Sequence, residues 1–152
     1  MKKTVIIIII LTLLAISTPA SAKKKESVGT PISLFSAPAS FPAGKAFHIA
    51  HGWVGVSVDG SALGLYDFEL EIDDVLREED FISRFFQGGK PSTLTLLWVY
   101  NFPDGMIGTH KFTGYWFLPC QEAVNNELYP GPCPTPSAKV SVFSQTATVS
   151  FP

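Results

Sequence analysis

The chain has 152 residues, 46% hydrophobic and 16% charged, a balance that excludes a disordered chain and allows one domain with its own core. Two of the eleven Lys and Arg residues and none of the thirteen acids lie in residues 1–22, so the remainder sets nine bases against thirteen acids, a net charge of −4. That balance speaks against a nucleic-acid partner, whose binding rests on cationic contacts to phosphate.

The chain opens with Lys2 and Lys3, then an apolar run from Val5 to Ile16 with six isoleucines, then Ala20-Ser21-Ala22. A short positive region, an apolar region and a small-x-small site read as a secretory signal peptide, residues 1–22, cleaved after Ala22. The run of 12 residues is shorter than the roughly 20 a helix needs to span a bilayer, so no stable membrane anchor is expected after cleavage. Residues 23–30, with Lys23-Lys24-Lys25, read as a flexible basic linker. Residues 31–152 read as the folded domain.

Prolines at 31, 38 and 42 confine Ile32–Phe35 to a sheet edge, because each removes a ladder donor. Ala46 to Val58 is a strand or strand pair with Phe47, Ile49 and His51 on one face. Gly52 and Gly55 suggest bulges in it, and Asp59-Gly60 a hairpin turn. In Leu65–Asp73, Tyr66, Phe68, Leu70 and Ile72 alternate with Asp67, Glu69, Glu71 and Asp73, so one face meets the core and the other water. Residues 74–87 read as a loop with a helical turn and then a short strand, closed by Gly88-Gly89-Lys90-Pro91.

Ser92–Phe102 places Leu94, Leu96, Trp98 and Tyr100 on one face, and Leu97 and Val99 on the other. Apolar groups on both sides predict a central strand or one covered by the N-terminal arm. Pro103-Asp104-Gly105 is a turn. Beyond it, His110, Phe112, Gly114, Trp116 and Leu118 share a face, and this strand is expected to pair with Leu94–Phe102 as a hairpin. Gln121–Pro136 reads as an extended proline-rich loop. Lys139–Phe143 and Thr146–Phe151 read as two final strands. The two cysteines of an exported chain predict one disulfide, Cys120–Cys133, closing a short loop.

The many short strands, close turn signals and near absence of helical period predict an all-β, antiparallel sandwich of about seven to eight strands with one local disulfide. With its Tyr66–Asp73 strand and its Gly108–Trp116 strand, the segment 31–152 resembles the immunoglobulin-like modules of exported and cell-surface proteins. The resemblance concerns fold alone.

The candidate metal ligands are the three histidines, His48, His51 and His110. Residues three apart in a strand point to opposite faces, so His48 and His51 converge only across a bulge at Gly52. The plainer reading is core-edge histidines satisfied by hydrogen bonds. Eight of the thirteen acids fall between Asp67 and Asp80. Carboxylates alternating on a strand are about 7 Å apart, a solvated face rather than a calcium cage. No nucleophile elbow, phosphate loop or dinucleotide fingerprint occurs, so no catalytic residue and no cofactor are expected. Trp53 and Tyr115 are candidate exposed aromatics for binding.

The function expected is therefore an exported, non-enzymatic sandwich, secreted or at the cell surface, or periplasmic in a cell with an outer membrane. It would bind protein or glycan, or serve as a surface structural unit. One variant is self-assembly by strand exchange through Ile32–Phe35. The alternative is a small exported metal-binding or hydrolytic protein using His48, His51 and His110.

Overall fold

Alternation of apolar and polar side chains builds two four-stranded sheets. The computed structural model describes residues 25–56, 65–87 and 93–152, and of residues 53–56, 84–87 and 93–95 the backbone alone. The signal-like segment, the Asp59-Gly60 turn and the Gly88–Pro91 stretch lie outside the described residues. The strands are β1 Thr30–Ile32, β2 Phe47–Val56, β3 Asp67–Ile72, β4 Val75–Arg77, β5 Phe81–Gln87, β6 Thr93–Phe102, β7 Gly108–Pro119 and β8 Lys139–Phe151.

Their order is β1-β2-β6-β5 in one sheet and β4-β3-β7-β8 in the other. With the strands lettered in chain order as A, B, C, C′, D, E, F and G, these are A-B-E-D and C′-C-F-G, the arrangement of an immunoglobulin-like sandwich. The expected fold class holds. One departure is at the N-terminus. β1 pairs parallel to β2, where every other pairing of named strands is antiparallel. The chain then reverses through a 3₁₀ turn, Leu34–Ser36, and Ser40 bridges Ser150 on the opposite sheet. The segment from Thr30 to Ser40 thus staples the two sheets along one side.

Several expected elements are corrected. β6 and β7 do not form a hairpin: β6 lies between β2 and β5, and β7 between β3 and β8. The reason is burial. The inward faces of both strands carry rings, and opposing them across the sandwich covers both faces at once, whereas a flat hairpin would leave them side by side. Trp98 meets Trp116 edge-on across the gap, with ring centroids 5.3 Å apart. The turn itself forms as read, with Gly105 N–H donating to the Phe102 carbonyl at 3.1 Å. Gly105 has φ +67°, and a Cβ there would lie 2.6 Å from the backbone of Gly44 and Lys45, so no other residue fits without displacing that backbone.

Residues 74–87 hold no helical turn. Asp73 and Asp74 both have positive φ, 51° and 66°, the two-residue connection whose twist matches the strands it joins, and β4 and β5 follow. β2 runs unbroken through Gly52 and Gly55 in register with β6, so neither glycine marks a bulge. At Gly52 a Cβ would lie 2.4 Å from Leu97 Cδ2; close packing is the role of this glycine. The expected extended loop after Pro119 begins instead with a short helix, α1, Cys120–Asn125. The two final strands are one strand, β8, with a bulge where Trp116 pairs with Phe143 but Phe117 with Ser141.

The core is one cluster between the sheets, including Phe47, Ile49, Phe68, Leu70, Trp98, Tyr100, Phe112, Trp116 and Phe151. A smaller cluster of Leu118, Cys120, Ala123 and Val140 surrounds the disulfide. The Cys120–Cys133 bond is present, and Cys120 is fully buried. The start of α1 is tied back to the strand that follows, with Cys120 N–H donating to the Ala138 carbonyl at 2.7 Å.

Closing a loop of this size contributes about 3 kcal/mol through the unfolded chain. Reduction, or Cys120→Ser, is therefore expected to lower the melting temperature by roughly 5–10 °C, with the loss of amide protection confined to α1 and the loop to Cys133. An unchanged melt would show the bond to be idle.

Candidate functional site

The three histidines have three separate environments. His48 and His51 sit on opposite faces of β2, as unbroken strand geometry requires. His48 faces outward and is covered by the N-terminal arm, its Nδ1 2.7 Å from the Val28 carbonyl. The arm is held there by Asn101, whose Oδ1 accepts from Val28 N–H at 2.9 Å and whose Nδ2 donates to the Glu26 carbonyl at 3.3 Å. Residues 25–28 of the expected linker thus run over the outer side of β6, beside the half-buried Leu97 and the buried Val99. That accounts for the apolar groups on both faces of this strand.

His51 faces inward and is 1% exposed. Its ring lies 4.0 Å from Phe68, 4.6 Å from Trp116 and 5.2 Å from Phe35, centroid to centroid. Among the described residues its Nε2 has no hydrogen-bond partner. Of His51 and His110, the two histidines expected at the core edge with satisfied hydrogen bonds, His110 has partners at both ring nitrogens and His51 Nε2 has none among the described residues. An imidazole among rings cannot hold a proton cheaply, and burial pushes its pKa from 6.5 down to about 4.

His110 lies at the rim of β7. Its Nδ1 is 2.6 Å from Asp73 Oδ2, and its Nε2 is 2.9 Å from the Ile107 carbonyl. The Asp73 hydrogen bond raises the His110 pKa, and the same bond lowers that of Asp73. Asp73 Oδ1 also accepts from Lys111 N–H at 2.9 Å. The contact pins the β3–β4 turn to β7. Among the described residues, no three His, Cys, Asp or Glu side chains gather as a metal-holding group.

Of the two aromatic candidates, the Trp53 side chain lies outside the described residues. Tyr115 is half-buried on the outer face of β7, and its hydroxyl donates to Glu71 Oε2 at 3.1 Å. Tyr115 is not a free platform.

The residues that sequence reading left without a role form the most distinctive surface. At the β4 edge, where Asp67–Glu69 of β3 run past the last β4 pairing at Arg77, an open cleft of about 350 Å³ lies between the two sheets. Phe68 and Tyr100 line it together with Asp67, Glu69, Glu78 and Glu79. Tyr100 O–H donates to the Phe68 carbonyl at 3.4 Å. Desolvation, followed by the charges of Glu79 and Asp67, raises the Tyr100 pKa, and desolvation raises that of Glu79. Arg77 lines the cleft, but its Nη2 donates to the Asn101 carbonyl at 3.1 Å, and its guanidinium carbon sits 5.3 Å over the Phe102 ring. Lys139 pairs with Asp67. Glu69, Glu78 and Glu79 make no salt bridge among the described residues. At the hairpin beside them, Val75 and Leu76 are 68% and 57% exposed. The strand alternation showed the acids. It did not show the exposed apolar pair, because the segment reads as a partial helix and not as a two-residue turn.

No protein-family model and no curated protein matches the chain. Among solved structures, one similar chain is a cysteine protease inhibitor, EhICP2, from Entamoeba histolytica, with 11% identity and a TM-score of 0.39, covering 81% of this chain and 94% of that chain. A superposition this loose bears on neither mechanism nor partner.

His51 gives a pH test. Its folded pKa lies below its unfolded one, so the unfolded state binds the proton first. Stability is therefore full above pH 6.5 and falls as the pH drops toward 4, by up to about 3 kcal/mol from this group. Denaturant unfolding of His51→Leu is expected to be flatter with pH across that window than the parent. Equal slopes would contradict the assignment.

Proposed function

We propose that this chain is an exported, non-enzymatic binding module that contacts a protein partner of basic surface through its β3–β4 edge. The observation that supports this reading most is the juxtaposition of exposed Val75 and Leu76 with the acid-lined cleft over Phe68 and Tyr100. An apolar ridge rimmed by unneutralised charge is the mark of a protein-contact surface. A carboxylate rim beside an exposed apolar pair suits an extended Lys or Arg side chain, whose apolar stem packs on Leu76 while its charged head meets the acids.

Export is supported by the signal-like residues 1–22 and by a disulfide, which belongs to an oxidising compartment. The net −4 outside the signal favours encounter with a cationic partner. A glycan platform has less support, since Tyr115 is engaged with Glu71. The strand-exchange variant has less as well, since β1 is paired within its own chain.

An arginine-rich peptide followed by fluorescence anisotropy tests the reading. Binding is expected at low salt, with weakening by about tenfold in Glu78→Gln/Glu79→Gln and further loss in Leu76→Ser. None of the three changes should shift the melting temperature greatly, because these side chains are exposed. Binding that is absent, or that is equal in parent and variants, would refute the reading.

A further inference from the structure

The surface that closes the other side of the same sheet is built differently. β8 is the outer strand of the β4-β3-β7-β8 sheet. Ser150 N–H donates to the Ala39 carbonyl at 3.0 Å, and Phe41 N–H donates to the Ser150 carbonyl at 2.8 Å. The backbone polar groups of Ser150 therefore point away from β7. Alternation carries the same orientation to Thr148, Thr146 and Ser144. The opposite strand agrees. Lys111 is the register partner of Thr148, and its carbonyl accepts from Asp73 on the far side, away from β8. Thr113 and Thr146 hydroxyls lie 3.2 Å apart, and Thr109 and Ser150 hydroxyls 3.3 Å apart, as in the close, non-hydrogen-bonded pairs of an antiparallel ladder.

Ser144, Thr146 and Thr148 thus present three outward N–H and three outward C=O groups. Among the described residues none of these is paired. Exposed edges are normally blunted by charge or proline. Val140 to Phe151 contains neither. The opposite edge of this sheet carries Asp74, Glu78 and Glu79 on and beside β4. Two copies of an acidic chain would repel each other there, but they meet no charge along Val140–Phe151 of β8.

We propose that β8 pairs with β8 of a second copy of this chain, antiparallel about a two-fold axis at Thr146. Ser144 then faces Thr148 of the copy, and Thr146 faces its own equivalent. Hydroxyl pairs of this kind suit cross-strand positions. Both limits of the pairing are built into the strand. At one end the Ser40–Ser150 bridge occupies the edge. At the other the bulge beyond Phe143 bends the strand away. The two bulky side chains at this edge, Phe35 and Phe143, stack with centroids 6.0 Å apart and are 60% and 47% exposed. A copy docked on β8 covers Phe143 and shields the stack. A two-fold contact of this type is isologous and closes on itself, giving a dimer and not a filament.

Sedimentation equilibrium of the purified protein across the micromolar range tests the proposal. The parent is expected to be a concentration-dependent dimer. Ser144→Lys/Thr148→Lys places lysine opposite lysine and should weaken the dimer by about tenfold or more. Ser144→Lys/Thr148→Glu places lysine opposite glutamate and should restore it. Circular dichroism melts of both variants check that the fold is kept. A monomeric parent, or two variants with the same association state, would overturn the proposal.

Discussion

An uncharged imidazole lies between the sheets of this sandwich, with Phe68 of the facing sheet 4.0 Å away and Trp116 4.6 Å away. Trp98, the register partner of His51 on β6, meets both Phe68 and Trp116. Four side chains from four strands, two in each sheet, thus form one aromatic cluster. Each such ring pair adds about 0.5–1.5 kcal/mol beyond the area it buries. The positions of the other elements depend on this contact. β7 must oppose β6 and cannot pair with it, the link through Gly105 must cross between sheets, and the 3₁₀ turn must bring Phe35 over the open side of His51.

The cluster also accounts for the separation of the three histidines. Three histidines in a short chain invite a metal site. Here one anchors the N-terminal arm, one fills the core as a neutral ring, and one locks a turn to a strand through Asp73. Two of the three buried side-chain nitrogens left without partners among the described residues, His51 Nε2 and Trp98 Nε1, lie on neighbouring strands of one sheet at paired positions. Ring packing is maintained there at the cost of two hydrogen bonds. The two edges of the C′-C-F-G sheet differ in chemistry: Asp74, Glu78 and Glu79 flank β4, whereas Val140–Phe151 of β8 carries no charge.

Much of this was legible in the residues. The alternation of Tyr66–Ile72 against Asp67–Asp73, the Pro103-Asp104-Gly105 turn and the Cys120–Cys133 pair are local signals, and local physics decides them. The N-terminal strand has its expected edge position but lies at Thr30–Ile32 and not at Ile32–Phe35, where Leu34–Ser36 turns as a 3₁₀ helix. The pairing of β6 was not legible. A turn between two aromatic strands suits a hairpin and a sheet-to-sheet crossing equally, and only the need to bury both inward faces separates them. The Asp73-Asp74 turn was missed because two aspartates at positive φ carry no glycine to announce it. The bulge in β8 was missed because Ser144-Gln145 looks like a break in the alternation when it follows a one-residue slip. The acidic residues of the β4 cleft were visible as a cluster. Their neighbours Val75 and Leu76 fall in the segment expected to hold a helical turn, and their exposure follows only from the Asp73-Asp74 turn that places them on the outermost strand.

The central claim is that β7 lies in the sheet opposite β6, joined to it through ring contacts and not through a ladder. Nuclear Overhauser contacts in a labelled sample test this directly. The account predicts Hα–Hα contacts from Thr113 to Thr146 and from Thr109 to Ser150, together with ring-to-ring contacts between Trp98 and Trp116. Backbone Hα–Hα contacts between the Leu96–Phe102 and His110–Trp116 segments would mean a hairpin, and would contradict the sandwich described above.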